Sequence, residues 1–229
     1  MTLVFTAKRL IAFDLDGTLV DTVPDLAAAV DAMQAALDLP ARGEARVRDW
    51  VGNGMERLVR RALTNDLTAE PDADLLARGW PVFLEAYAAR PCVHSRFYPG
   101  AERSLNELRA AGYQLACITN KHSRFTDLLL DALGVYDHFS LVLSGDSLPR
   151  RKPDPLPLQH AGAQLQVTAT QMLMVGDSIT DVRAARAAGV DIVGVSYGYN
   201  NGRDIRAAAP DHVIDTLAEL SALLPRAAA

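Results

Sequence analysis

The chain has 229 residues, 49% of them hydrophobic, and 23 Lys and Arg stand against 28 Asp and Glu for a net charge of −5. That length suits one well-packed domain, or one domain carrying a smaller insert. The mild acidity without any basic run argues against a dedicated nucleic-acid binder, and two cysteines, Cys92 and Cys117, make neither a disulfide framework nor a metal-ligand spacing.

The N-terminal stretch MTLVFTAKRLIAF places Lys8 and Arg9 between two short apolar runs. A signal peptide would set basic residues before one long run. No stretch approaches the ~20 apolar residues that span a bilayer. The expectation is a cytoplasmic protein with no membrane partner. The run RLIAFDLD then reads as a strand entering Asp14. Side chains alternate along a strand, so Asp14 and Asp16 share one side and Leu15 takes the other. Gly17 and Thr18 turn the chain.

From Asp21 to about Pro99 the pattern becomes helical. VPDLAAAVDAMQAALDL, EARVRDWV, MERLVRRAL and ADLLARGWPVFLEAYAAR all read as helices, and no strand is expected among them. Leu26, Val30 and Met33 recur at helical spacing. The block is too long for a loop, so it reads as a cap over the sheet edge.

Strand and helix then alternate. The segment GAERSLNELRAAG is a helix with Leu105 and Leu108 on one face, and YQLACITN is a buried strand ending at Thr119-Asn120. The helix SRFTDLLLDALG and the strand SLVLSGD follow. Further on, MLMVGD, SITDVRAARAAG, VDIVGVS, HVI and TLAELSALL repeat the alternation, with Gly189 stopping the second of these. Strands separated by helices imply right-handed crossovers and a parallel sheet. The predicted fold is α/β: a Rossmann-like parallel sheet flanked by helices, with an inserted all-helical cap domain. The core is expected over 1–20 and 97–229, the cap over 21–96.

Ligands bind open α/β sheets outside the carboxyl ends of the strands. Asp14, Thr119, Asp146 and Asp177 all lie at such ends, and Asp181 follows Asp177 by one helical turn. Asp14, Asp16, Asp177 and Asp181 should therefore gather at one crevice. Four neighbouring carboxylates require a cation, and a hard, oxygen-only ligand set suits Mg²⁺ better than Zn²⁺. Pro153 favours an extended chain before it, which aims Lys152 at the site. Carboxylates, a hydroxyl from Thr119 and an ammonium together suit a phosphoryl group: one aspartate can attack phosphorus, and another can serve as acid and then base. The five histidines show no ligand spacing.

These motifs resemble the haloacid-dehalogenase superfamily of Asp-nucleophile phosphatases. DLDGTLVD is similar to that family's first motif, ITN to the second, KPDP to the third and GDSITD to the fourth, in the family's order. The resemblance implies Asp14 as nucleophile and Asp16 as general acid and base. It implies Mg²⁺ held by Asp14, the backbone carbonyl of Asp16, and Asp177, with Asp181 behind them. It implies phosphoryl oxygens held by Thr119 and Lys152, with Asn120 beside them. Within the superfamily, VGNGMERLVRRAL and VSYGYNNG resemble phosphoglycolate phosphatases, which implies hydrolysis of 2-phosphoglycolate to glycolate and phosphate.

The first of those stretches has its own physical reading. Gly52-Asn53-Gly54 precede a helix whose free amides could meet an anion, and Arg48, Arg57, Arg60 and Arg61 lie nearby. One of these arginines, Arg57 among them, could clamp a substrate carboxylate. A phosphomutase acting on a sugar phosphate, a phosphatase for another small metabolite and a non-catalytic binding protein on the same scaffold are the rival readings. The expected partner is a small phosphoester, and the chain is either a monomer or a homodimer.

Overall fold

The computed structural model describes residues 5–52 and 54–225. Its centre is a six-stranded, wholly parallel sheet. The strands are β1 (Leu10–Phe13), β4 (Gln114–Ile118), β5 (Leu141–Leu143), β6 (Met172–Gly176), β7 (Asp191–Val195) and β8 (His212–Ile214), in the order β5-β4-β1-β6-β7-β8. Every side chain of β1 is buried, because parallel strands are covered on both faces. Period-two alternation sorts them: Ile11 and Phe13 join one apolar cluster, Leu10 and Ala12 the other.

The first cluster packs under α5 (Ala101–Ala110), α6 (Ser123–Ala132) and α9 (Leu220–Leu223) through Leu105, Leu108, Leu129 and Leu220. The second packs under α7 (Leu156–Leu165) and α8 (Ile179–Ala188) through Leu158, Ala161, Val182 and Ala185. After β1 the chain builds outward through β4 and β5, then returns to the other side of β1 to lay down β6, β7 and β8. That reversal makes a switch point between β1, β4 and β6, the place where open α/β sheets leave a crevice. The expected α/β architecture is therefore observed. The helix α7 goes beyond the sequence reading, its pattern disguised by Pro157 and Gly162.

Among the described residues between Val23 and Ala89 stand four helices: α1 (Val23–Ala36), α2 (Gly43–Arg48), α3 (Met55–Thr64) and α4 (Ala73–Ala89). They bury a core of their own in which Leu26, Val30 and Met33 meet Trp50, Val59, Phe83 and Tyr87. Phe125 and Tyr199 join it from the sheet side. One expectation is corrected here. The stretch from Asp21 to Pro99 is not free of strands: β2 (Val20–Asp21) pairs antiparallel with β3 (Arg96–Phe97). Two residues are too few to display an alternating pattern, so only the tertiary pairing reveals them. This ribbon brings the two ends of the helical insert together beside the crevice. No helix among the described residues is long and apolar enough to cross a membrane.

A buried carboxylate ties the ribbon to the insert. Asp25, in the first turn of α1, accepts hydrogen bonds from the amides of Val93, His94 and Ser95 at 2.7–3.0 Å and from the Ser95 hydroxyl at 2.6 Å. Burial alone would raise its pKa, but the Ser95 and His94 hydrogen bonds hold it below the ordinary carboxylate value. A lowered native pKa gives stability that is complete above the unfolded value and is lost as pH falls through the native one. Asp25→Asn should therefore cost about 3 kcal/mol near neutral pH, from a charged acceptor replaced in a buried site. That corresponds to a fall of roughly 6–12 °C in Tm. The gap from the parent should close as pH drops below ~4; a gap that persists unchanged at pH 3 in thermal unfolding would contradict this role.

Candidate active site

The crevice lies at the carboxyl ends of β1, β4 and β6. Asp14 follows β1 directly, and its amide still donates to the Val175 carbonyl at 2.9 Å, so the ladder fixes its position. Asp177 follows β6 in the same way, and Asp181 sits in the first turn of α8. One oxygen from each of Asp14, Asp177 and Asp181 falls within 4.8 Å of the others. Ser178 caps α8, and Asp181 accepts from the Ser178 amide at 3.1 Å and its hydroxyl at 2.7 Å. This capping box turns Asp181 back toward the strand ends.

Lys152 completes the cluster. It is fully buried, its ammonium 2.9 Å from Asp14 and 2.6 Å from Asp181. Burial would lower its pKa, but the two carboxylates hold it protonated well above its ordinary value. The acids respond oppositely. Burial raises both Asp14 and Asp177, and repulsion from Asp181 adds to the effect, while Lys152 opposes it. Three carboxylates against one ammonium leave excess negative charge in a buried place. An oxygen-only set of this kind fits a hard divalent cation.

Asp177 also explains the glycines around it. Its carboxylate accepts from the Tyr199 amide at 2.7 Å and from the Thr18 hydroxyl at 3.3 Å. A Cβ on Gly17, whose φ is +89°, would lie 2.3 Å from an Asp177 oxygen, and one on Gly198 would lie 2.1 Å from the Asp177 Cβ. Both turns must approach closer than any side chain allows.

The structure separates Asp16 from this trio. The sequence reading gathers four carboxylates at one crevice; Asp16 lines the crevice with Asp14, but its carboxylate has partners outside the trio. It accepts from the Thr22 hydroxyl at 2.7 Å and from the Lys121 ammonium at 3.0 and 3.2 Å. Only Leu15 lies between the two aspartates, yet each takes different partners in the folded chain, which strand alternation alone does not reveal. Lys121 is the residue that the sequence reading missed. It is buried, and its ammonium also sits 4.9 Å from the Tyr87 ring centroid. Burial would depress it, but Asp16 and Tyr87 raise it, so it carries its charge. Its signal was position alone, two residues beyond Thr119 on the same strand-end loop.

Thr119 is buried at the end of β4, where its hydroxyl accepts from the Lys121 amide at 3.1 Å. Asn120 lines the crevice, but its side-chain amide donates to the Lys152 carbonyl at 2.9 Å. It thereby fixes the main chain that carries the lysine. Asp146 is not among the residues that line the crevice; it accepts from the Ser123 amide at 2.7 Å, at the first residue of α6.

From the helical insert, Leu26, Val51, Gly52, Gly54, Met55 and Leu58 face Asp14, Asp16, Thr119, Asn120 and Lys121 across a cavity of about 30 Å³. Gly52 and Gly54 are thus where the sequence reading expects them, while Asn53 lies outside the described residues. Arg57 does not come to the crevice. It is taken up by Glu70 and by the Leu67 and Thr68 carbonyls on the outer side of α3. Arg60 pairs with Glu56 and Glu70, Arg61 with the Trp50 and Leu67 carbonyls, and Arg48 with Asp21 and Glu44. Acidic and carbonyl partners close to each arginine hold it there, and the charge pattern alone could not reveal them.

Comparison with known proteins agrees with this arrangement. The family model for haloacid dehalogenase-like hydrolases matches residues 11–195. A phosphoglycolate phosphatase of Nitrosococcus oceani is 50% identical over 220 residues, covering 96% of this chain and 98% of its own. One from Nitrosospira multiformis is 45% identical over 218 residues, covering 95% and 96%. The crystal structure of a predicted phosphoglycolate phosphatase from Haemophilus somnus superposes with a TM-score of 0.90 at 37% identity, covering 95% of this chain and 98% of that one. With its sequence matched across nearly the whole sheet and its carboxylates gathered at the strand ends, the chain belongs to the haloacid dehalogenase-like hydrolase family.

Proposed function

We propose that the protein is a Mg²⁺-dependent phosphatase that hydrolyses 2-phosphoglycolate to glycolate and phosphate through an aspartyl-phosphate. The observation that carries the reading is the division of labour between Asp14 and Asp16. Asp14 sits with a buried ammonium in the acidic trio, and Asp16, two residues on, has partners of its own. That is the layout needed for one carboxylate to attack and another to handle protons. Relatives at 43–50% identity that carry the phosphoglycolate phosphatase name support the substrate. The helical insert, residues 21–96, acts as a cap domain over a core formed by 1–20 and 97–229.

In this reading Asp14 attacks phosphorus in line with the leaving oxygen. Lys152 and the Thr119 region hold the phosphoryl oxygens, with Asn120 fixing the Lys152 backbone. Asp16 protonates the departing alkoxide, then takes a proton from the water that opens the aspartyl-phosphate. Apolar Leu26, Val51, Met55 and Leu58 cover the reaction from solvent. Mg²⁺, held by Asp14, the Asp16 carbonyl and Asp177 with Asp181 beside them, would neutralise the charge of the phosphoryl group and its nucleophile.

Phosphate release from a panel of small phosphoesters, with and without Mg²⁺, tests the reading. 2-Phosphoglycolate should give the highest kcat/KM, and chelation should abolish turnover. A sugar phosphate isomerised without phosphate release would instead favour the phosphomutase reading. Asp14→Asn should be inactive yet folded, since an amide neither attacks phosphorus nor balances Lys152. Asp16→Asn should slow single-turnover phosphorylation by alkyl phosphates by ~10²–10⁴-fold, the range for general acid catalysis, and slow that by an aryl phosphate far less. Equal losses on both would remove the proton-transfer role. Millimolar Mg²⁺ should raise the Tm of the parent by mass action. Asp177→Asn should show little or none of that rise; an undiminished rise would place the cation elsewhere.

A further inference from the structure

We propose that Lys121 reads the carboxylate of the substrate and so sets the preference of this enzyme among phosphoesters. The inference rests on the phosphatase reading above and moves the recognition of charge from the arginines of the insert to the loop after β4. Among the described residues that line the crevice, Lys121 is the one that is basic. The arginines nearest in sequence to Gly52 and Gly54 are each held by other partners, and none of them lines it.

Position gives the second argument. To protonate the leaving oxygen, Asp16 must lie within hydrogen-bond reach of it, roughly 2.6–3.2 Å. The Lys121 ammonium is 3.0 Å from one Asp16 oxygen and 3.2 Å from the other. In 2-phosphoglycolate the carboxyl carbon is two bonds from the leaving oxygen. Any pose that presents that oxygen to Asp16 therefore brings the substrate carboxylate into the neighbourhood of Lys121. An ammonium has three donors in any rotation about its stem, and Asp16 does not exhaust them. The chemistry is that of a compact point charge on a buried stem: charge-assisted, strong in a water-poor crevice, and indifferent to the planar geometry an arginine clamp would demand.

The facing wall of the crevice carries no charged side chain among the described residues. The side chains of Leu26, Val51, Met55 and Leu58 bring no counter-charge and Gly52 and Gly54 bring backbone amides alone, so the full positive charge available to a carboxylate there is on the Lys121 side. A leaving group of the same size without charge would leave the ammonium with Asp16 alone.

The test compares 2-phosphoglycolate with the phosphate ester of glycolamide, which has nearly the same shape but no carboxylate. The parent enzyme should prefer the acid by ~10²-fold or more in kcat/KM, as expected for one charge-assisted contact. Lys121→Gln retains a donor toward Asp16 without the charge. It should lose most of that preference, with the acid falling far more than the amide and KM for the acid rising. Lys121→Arg keeps the charge but displaces it, and should alter kcat/KM for the acid more than for the amide; it answers the question if the glutamine variant does not fold. Equal losses on acid and amide in the variants would show that Lys121 only supports Asp16, which overturns the inference and leaves the phosphatase reading standing. A parent enzyme without preference for the acid would overturn the substrate reading itself.

Discussion

The site depends on one buried ion cluster. The Lys152 ammonium bridges Asp14 and Asp181, and Asp177 lies against both acids without an ion pair among the described residues. Such a group is unfavourable to bury unless every member has a partner, since each ion loses its hydration. The surroundings meet that demand almost atom by atom. Ser178 serves Asp181, the Tyr199 amide and Thr18 serve Asp177, and the Leu15 amide donates to Asp14 at 2.8 Å. The negative charge that is left over is what suits the place to a cation and to phosphoryl chemistry.

The fold can be understood as the frame for that cluster. β1 and β6 are adjacent and parallel, which places Asp14 and Asp177 side by side once each strand ends. β4, on the other flank of β1, delivers Thr119, Asn120 and Lys121. The tight turns matter equally. An alanine at Gly176 would set its Cβ 2.5 Å from Asp181, so the end of β6 is shaped around the carboxylate that follows it. These constraints tie local backbone to chemistry. The same glycines that allow the turns also allow the acids to meet.

The helical insert is linked to the acid Asp16 by its first residues. Thr22 stands at the start of α1, yet its hydroxyl bonds Asp16 instead of capping the helix. The amide of Thr22 is met by the Tyr199 hydroxyl at 2.9 Å, and Tyr199 in turn donates to Asp21 at 2.7 Å. Tyr199 also touches the trio through its own amide on Asp177. One aromatic residue thus joins the base of the insert to the carboxylate cluster. The insert contributes apolar cover and two glycines to the crevice, while its arginines spend their charge on Glu44, Glu56 and Glu70 and on backbone carbonyls.

Much of this was written in short, local signals. Asp14 and Asp16 behind an apolar strand, Thr119 at the end of another, Lys152 before a proline, and Asp177 with Asp181 one turn apart are all patterns within a few residues. Their order along the chain, with helices between the strands, implies the parallel sheet, and a parallel sheet implies that strand ends converge. Those conclusions need only alternation and the handedness of crossovers. What the tertiary structure alone decided is which neighbour each charged group finds. Asp16 stands apart from the acidic trio because its carboxylate is taken up by Thr22 and by Lys121 on another strand's loop. Arg57 leaves the crevice because Glu70 lies thirteen residues away on the same outer surface. The ribbon of β2 and β3 exists only because its halves are brought together across the whole insert. Periodicity reports how a segment folds, but the pairing of distant charges is fixed by where the folded segments come to rest, and no local pattern carries that information.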